Sequence, residues 1–283
     1  MTRCTLLASS PHRLVPHRLI ASPSPLHSLP SQTIRLWATA SGECIRTYTR
    51  HTESVTTVAW MPCGRGFVSA SADKAILLWG VGGEVLHGWH GTRVQDLVVS
   101  ACGTRLVCTS EQAIRICAIH GSVGGAGAGG GGNGGVGGGG ADLMPARLHV
   151  PDAPAIMESE GITSLALSKD TRHALVSIAS GRIHLWDLHE ATNQMEYTGH
   201  RCSRFVIRAA FGGPDERFVV SGSEDSRVYI WHRHSGTLLE VLAGHSGAVN
   251  AVVWSPSRCM LASASDDHTV RVWRGADKPA LLQ

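Results

Sequence analysis

A run of about thirty residues, Gly244 to Trp273, returns upstream with its anchor residues at nearly fixed spacing, and this recurrence limits what the chain can fold into. The run opens on Gly244-His245, alternates through Val249, Val252 and Trp254, and turns at Ser255-Pro256. It resumes as LASAS, turns again at Asp266-Asp267 and ends in TVRVW. Short runs with alternate apolar residues, separated by turn residues, predict an antiparallel meander of four strands. One such sheet cannot bury both faces alone, so it must stack on copies of itself. The expected element is a propeller blade.

The copies are counted by their terminal tryptophans: Trp37, Trp79, Trp186, Trp231 and Trp273, with Cys117 standing where another would be. A step of roughly 40–45 residues is that of WD-type blades. The one long step, 69 residues between Cys117 and Trp186, contains a nearly all-glycine tract. Glycine cannot pack a core and is costly to order, so residues 121–142 are expected to be a disordered insertion on an otherwise ordinary repeat.

Asp73, Asp225 and Asp267 lie six residues before their tryptophans Trp79, Trp231 and Trp273, while His51, His200 and His245 lie 28, 31 and 28 before them. These positions resemble the internal network of the WD-repeat family. There the turn aspartate holds the Gly-His imidazole, and a strand serine or threonine links it to the indole. A half-buried histidine needs both ring nitrogens satisfied, so the expected role is structural. The linking hydroxyl is Ser69 or Ser71, Ser221 or Ser223, Ser263 or Ser265. Two blades depart from the rule. In the one ending at Cys117, His90 is present but Glu111 takes the aspartate position; in the one ending at Trp186, Ser180 replaces it and no Gly-His precedes. Both are expected to be held by apolar packing alone (Val94, Leu97, Leu106, Ile114; Ile162, Leu165, Leu167, Leu175, Ile183) and to be softer.

The expected architecture is an all-β WD-repeat β-propeller with five full blades, at about 51–89, 90–120 completed near Arg147–Val150, 158–197, 200–243 and 245–273. A half-blade lies at 33–49, so the ring is an incomplete seven-bladed one. By segment, 1–31 is a disordered leader, 32–120 the half-blade and first two blades, 121–142 the insertion and 143–283 the remainder. The last blade needs a fourth strand from Pro279–Gln283 or from a leader piece such as Arg18–Ala21, and closure is expected to be strained.

Charge narrows the partners. The formal excess of +3 comes from Arg3, Arg13 and Arg18 in the acid-free first 31 residues, leaving 22 basic against 22 acidic residues beyond them. A neutral repeat region argues against phosphate-backbone binding, so no nucleic acid partner is expected. No apolar run approaches the ~20 residues that cross a bilayer, so no membrane partner is expected either. Eight cysteines lack CxxC spacing and no histidine cluster completes a zinc site; no metal or cofactor is expected. The basic leader allows organelle import, but cytoplasmic or nuclear residence is the preferred expectation.

Enzyme signatures fail. The GxGxxG matches in the glycine tract follow no strand and start no helix. Glu158-Ser159-Glu160 brings carboxylates close, but without an acid/base partner in view, and His87–His90 and His232–His234 are strand-end positions. Loops carrying the Gly-His pairs and the turn aspartates share one end of their blades, and there Glu53, Arg93, Arg201, Arg204, Glu224 and Asp266 are candidate rim contacts for a protein partner.

Longer stretches carry a more specific resemblance. The run FGGPDERFVVSGSEDSRVYIWHRHSGTLLEVLAGHSGAVNAVVWSPSRCMLASASDDHTVRVW resembles the last two blades of the WD repeat-containing protein 26 family, propeller subunits of the GID/CTLH ubiquitin ligase. SVTTVAWMPCGRGFVS, GEVLHGWHGTRVQDL and GRIHLWDL resemble its preceding blades in the same order, and the two irregular blades recur there. The resemblance implies a non-catalytic scaffold that recruits substrates or assembles a ligase, with LisH/CTLH or RING subunits and substrate proteins as partners. It also implies a truncated propeller without the family's own LisH and CTLH modules. The fold alone implies a general WD scaffold in signalling or chromatin complexes.

Overall fold

The computed structural model describes residues 17–21, 32–121, 147–149, 155–203, 205–255 and 258–274. The chain divides into two compact units, Met1–Cys108 with Arg115–Pro154 and Thr109–Ile114 with Ala155–Gln283. The described residues form antiparallel sheets and one 3-10 turn, Pro214–Glu216; we number the sheets as blades 1 to 6 in chain order.

In the first unit, blade 1 contains β1 (His17–Ala21), β2 (Ile34–Ala38) and β3 (Cys44–Tyr48). Blade 2 contains β4 (Val55–Trp60), β5 (Gly66–Ser71), β6 (Ala75–Gly80) and β7 (Val85–His90). Blade 3 contains β8 (Asp96–Val99), β9 (Arg105–Ser110), β10 (Ala113–His120) and β11 (Arg147–His149), and β12 (Ile156–Met157) pairs with the start of β10. Its fourth strand, expected near 147–150, therefore lies beyond the glycine tract, which itself falls outside the described residues apart from Gly121.

The second unit holds blade 4, with β13 (Ile162–Leu167), β14 (His173–Ile178), β15 (Ile183–Asp187) and β16 (Thr192–Tyr197). Blade 5 follows with β17 (Ala209–Gly212), β18 (Phe218–Gly222), β19 (Arg227–His232) and β20 (Leu238–Ala243). Blade 6 has β21 (Val249–Trp254), β22 (Met260–Ser265) and β23 (Val270–Arg274).

Two expectations about the ends need correction. The leader segment His17–Ala21 is a strand, not disordered chain, and it pairs with β2 of the half-blade, His17 opposite Ala38 and Ala21 opposite Ile34, not with the last blade. HRLIA can extend a sheet because five non-Gly, non-Pro residues match the five of IRLWA across an antiparallel ladder. Blade 6 consequently shows three strands among the described residues; the other candidate for its fourth, Pro279–Gln283, lies outside them.

Sequence period and packing agree at each described interface. Ile34, Leu36 and Tyr48 of blade 1 pack with Val55, Val58, Phe67 and Trp79 of blade 2. Val68, Ile76 and Leu78 on the other face of blade 2 meet Val94, Leu97 and Leu106. Blades 4 and 5 join through Leu175, Ile183, Val219 and Trp231, and blades 5 and 6 through Val220, Val228, Val249, Val252 and Leu261. A register shift falls immediately before Trp37, Trp79, Trp186 and Trp231 in the pairing of third with fourth strand. Such a bulge re-aims the side chain that follows it.

The approach of blade 6 to blade 5 is closest at Gly222, where an added Cβ would fall 2.1 Å from the Val249 carbonyl oxygen. Backbone atoms on both sides leave little room to yield. Gly222→Ala is therefore expected to cost about 1–3 kcal/mol through overpacking, whereas Gly161→Ala, whose Cβ meets nothing nearer than 4.0 Å, stays within about 0.5 kcal/mol. Denaturant unfolding of the two variants measures the difference.

Candidate functional site: clasps and rim loops

In blades 2 and 6 the anchor residues converge. His51 Nδ1 lies 2.9 Å from Asp73 Oδ2 and its Nε2 2.7 Å from Ser69 Oγ, while Trp79 Nε1–H donates to the same Oγ at 2.8 Å. In blade 6, His245 Nδ1 lies 2.8 Å from Asp267 Oδ2, its Nε2 lies 2.8 Å from Ser263 Oγ, and Trp273 Nε1–H donates to Ser263 at 2.8 Å. Only one proton arrangement satisfies every atom: indole N–H to serine oxygen, serine O–H to Nε2, Nδ1–H to carboxylate. The carboxylate also ties the turn to the loop, accepting from Ala75 N–H and Thr52 N–H in blade 2 and from Thr269 N–H and Ser246 N–H in blade 6. Burial raises the Asp73 carboxyl pKa, but these bonds and the imidazole outweigh it and hold it below the usual range. Burial lowers His51 against the pull of Asp73.

The two candidate serines in each blade have different tasks. Ser69 and Ser263 link imidazole to indole. Ser71, Ser223 and Ser265 accept from the N–H of Asp73, Asp225 and Asp267 and donate to the carbonyls of Glu53, Arg201 and Gly247. This brace is present in blades 2, 5 and 6 alike.

Blade 5 departs from the expected clasp. Asp225 Oδ2 accepts from the Tyr229 hydroxyl at 2.7 Å, Trp231 Nε1–H donates to the Thr198 carbonyl at 3.1 Å, and Ser221 turns its hydroxyl to the Gly222 carbonyl. His200 is buried with its Nδ1 unpartnered, and burial pushes its pKa down to about 4. The Arg201 N–H, equivalent to that of Thr52, goes to Ser223 Oγ at 2.9 Å instead of the aspartate. Two sequence differences account for this. His200 stands 25 residues before its aspartate, against 22 in the other two blades, and tyrosine occupies the position held there by Leu77 and Arg271.

Blade 4 is not held by apolar packing alone. Ile162, Leu165, Leu175 and Ile183 are buried as expected and Leu167 is half-buried, but the buried Glu158 reaches inward as well. Its Oε1 lies 2.8 Å from His184 Nδ1 and accepts the Trp186 indole N–H. Glu158 stands 28 residues before Trp186, the offset of His51 and His245 from their own tryptophans. A carboxylate thus occupies the imidazole's place and an imidazole two residues before the indole answers it. Contrary to the expectation from its neighbours in sequence, Glu158 has a titratable partner, His184, 26 residues away in the chain. Glu160 points the other way, to Arg182 Nη2 at 2.6 Å.

Blade 3 loses the clasp through its turn. Between β9 and β10 stand only Glu111 and Gln112, where blade 2 has Ala72, Asp73 and Lys74, so Glu111 does not reach the aspartate's place; it is exposed and its carbonyl accepts Ile162 N–H at 2.7 Å. The buried thiols of Cys108 and Cys117 hydrogen-bond to one another in this blade, and that bond raises Cys108 and lowers Cys117. Val94, Leu97, Leu106 and Ile114 are buried around them. His90 is exposed at the end of β7.

Of the rim candidates, Glu53, Arg93, Arg201 and Asp266 are exposed, and Arg204 lies outside the described residues. Glu224 is committed to its own loop, accepting from Ser203 N–H at 2.7 Å, Ser203 Oγ at 2.8 Å and Phe205 N–H at 3.0 Å. Asp266 accepts from Asn250 Nδ2 at 2.6 Å. A further charged group the spacing does not reveal is the buried Glu216, which accepts Lys169 N–H at 3.0 Å and meets Arg233, itself 4.8 Å over the Phe211 ring. Among the described residues no group of three or more His, Cys, Asp or Glu is placed to hold a metal ion.

Removing the shared hydroxyl tests the clasp. Ser69→Ala orphans a buried imidazole nitrogen and a buried indole N–H and is expected to cost about 2–4 kcal/mol, at about 1–3 per orphaned group with partial relief. Ser221→Ala, in blade 5, costs under about 1 kcal/mol, and Glu158→Ala resembles Ser69→Ala. Acid gives a second check. His200 takes a proton in the unfolded chain near pH 6.5 but in the folded one only near pH 4. Stability therefore falls as pH drops from about 6.5 to 4, and His200→Gln lowers that slope by at most about 1.4 kcal/mol per pH unit.

A family model described as "WD domain, G-beta repeat" matches residues 42–80, 191–232 and 236–274. The chain is 35% identical over 252 residues to the WD repeat-containing protein 26 homolog of Arabidopsis thaliana, covering 87% of this chain and 38% of that protein. It is 35% identical over 244 residues to GID complex subunit 7 of Schizosaccharomyces pombe, with 84% and 43% covered. To the WD repeat-containing protein 26 homolog of Drosophila melanogaster it is 29% identical over 245 residues, with 86% and 35% covered. The chain spans about two fifths of the length of the first two of these relatives. With its meander blades and indole-ended third strands the chain has the WD-repeat β-propeller fold, and in sequence it is similar in particular to WD repeat-containing protein 26 homologs and GID complex subunit 7.

Proposed function

We propose that this protein is a non-catalytic interaction scaffold that recruits substrates or organises subunits in a ubiquitin ligase of the GID/CTLH type. The observation that carries the reading is the likeness to GID complex subunit 7 and to two WD repeat-containing protein 26 homologs, which runs through 84–87% of this chain. It therefore includes blades 3 and 4, which lack the ordinary clasp. The geometry agrees with such a role. The carboxylates and imidazoles that catalysis would need are spent on each other inside the blades, at Asp73–His51, Asp267–His245 and Glu158–His184.

The partners in this reading are RING and LisH/CTLH subunits and the substrate proteins, met at the loops that enter each blade's first strand and at the turns beside them. The exposed charges on these loops are Glu53 and Arg93 in the first unit and Arg201 and Asp266 in the second, each unit offering both signs by itself. The compartment in this reading is the cytoplasm or nucleus.

Affinity capture of the tagged full chain followed by mass spectrometry tests the assignment. Recovery of RING and LisH/CTLH proteins is the expected result, and recovery of signalling or chromatin assemblies without them would replace it by a general WD scaffold. Arg93→Glu and Arg201→Glu, made singly, are each expected to lower capture severalfold with the melting temperature unchanged. Capture unaffected by both would remove the rim arginines from the proposal.

A further inference from the structure

Tyr229 arranges blade 5 in a way that neither complete clasp shows. Its phenol occupies Asp225 Oδ2, the oxygen equivalent to the one that takes the imidazole and a loop N–H in blades 2 and 6. Its ring stacks on Trp231 with centroids 5.7 Å apart and planes 20° apart, and its centroid is 6.3 Å from that of His200. One side chain thus touches both the acid and the imidazole that the acid would otherwise hold. His200 is left buried with an unpartnered Nδ1.

The loop after His200 is built to move with this choice. It is two residues longer than its counterparts, since His200 stands 11 residues before Phe211 where His51 and His245 stand 9 before Trp60 and Trp254; the third extra residue of the 25-residue spacing lies in the turn between β17 and β18. It is fastened by substitutes: Arg201 N–H on Ser223 Oγ, and Ser203 and Phe205 on Glu224. Val206 stands 53% exposed at its far end. With Asp225 on His200, the Arg201 N–H would fall to the carboxylate as those of Thr52 and Ser246 do, and the Ser223 substitute would be released.

We propose that Asp225 is a latch with two seats, Tyr229 as in this structure or His200 as in the complete clasps, and that its seat sets the conformation of the loop residues 201–203 and 205–207. The ionisable groups of blade 5 around it are Asp225, Tyr229, His200, Cys202, Glu224 and Arg227. Exchanging seats replaces one hydrogen bond to a carboxylate by another, so neither seat leaves the half-buried acid unpaired. Tyrosine loses its partner in one seat and histidine in the other. The latch does not rest on the ligase reading, and its readouts do not involve partner capture.

Tyr229→Phe in the full chain tests it, since phenylalanine keeps the ring and removes the competing hydroxyl. Histidine ring-nitrogen NMR is expected to show the His200 titration rising from about 4 by at least one pH unit, a tenfold change in proton affinity. Amide exchange across residues 201–203 and 205–207 should change at least fivefold while that of blade 6 is unaltered. A folded variant in which both quantities match the unsubstituted protein would overturn the latch. Should that variant not fold, the unsubstituted protein still decides: the Tyr229 ring resonances follow the His200 titration with the same midpoint if the seats exchange, and independence of the two overturns it.

Discussion

A histidine buried where a loop meets two strands needs a partner at each ring nitrogen, and the complete blades depend on meeting that need. In blade 2 the Asp73 carboxylate on one side and the Ser69 hydroxyl on the other hold the ring, and through them the entry loop, the turn and the third strand are fastened to one point. The arrangement is economical because every member is satisfied by another member. It is unforgiving for the same reason, since loss of the serine leaves two buried groups without partners.

The variant blades show which part of this requirement is essential. Blade 4 has neither Gly-His nor turn aspartate, yet its indole is still held, because Glu158 and His184 exchange the chemical roles of loop and strand. Blade 3 has no indole to hold, and Cys108 and Cys117 make a compact sulfur contact within the apolar seam. Blade 5 keeps all three anchor residue types but spends them differently, on Tyr229 and the Thr198 carbonyl. What recurs in blades 2, 4, 5 and 6 is an acceptor for the indole N–H of the third strand; the residue supplying it changes.

The legibility of the fold follows from this distinction. Strand alternation and the tryptophan period depend on many residues at once, so blades 2 to 6 can be read directly, including the short strand Arg147–His149 beyond the glycine tract. Single hydrogen bonds depend on one residue and one register. The His, Asp and Trp of the blade 2 and blade 6 clasps are legible because their spacing of 28 is shared, whereas the linking serine stays open between Ser69 and Ser71 and between Ser263 and Ser265 until the register is known. The failure at His200 was announced by a spacing of 31, and Glu158 by a spacing of 28 with a different side chain. What motif reading cannot supply is competition: Tyr229 matters because a phenol reaches the same oxygen as an imidazole, and only geometry ranks the two. The leader strand was half legible: Arg18–Ala21 reads as a strand, but a five-residue strand fits any open edge, and only the structure shows that it pairs with β2.

Blade 6 shows how much of each sheet's stability is lent by its neighbour. Ala251, Val253, Ala262, Ala264, Val270 and Val272 are paired across its strands and share one face. By repeat position the last four correspond to Val68, Ala70, Ile76 and Leu78 of blade 2, each at most 2% exposed beneath Val94 and Leu97. In blade 6, Val253, Val270 and Val272 are instead 61%, 70% and 61% exposed. The residue types are the same in character and the ladders equally regular, and the burial of the blade 2 residues follows from the strand β8 and its entry loop packed over them. For a repeat array this is the nearest-neighbour coupling in its plainest form, with each blade contributing a prepared apolar face whose stabilisation, about 25 cal/mol per Å² removed from water, is realised only by the next blade.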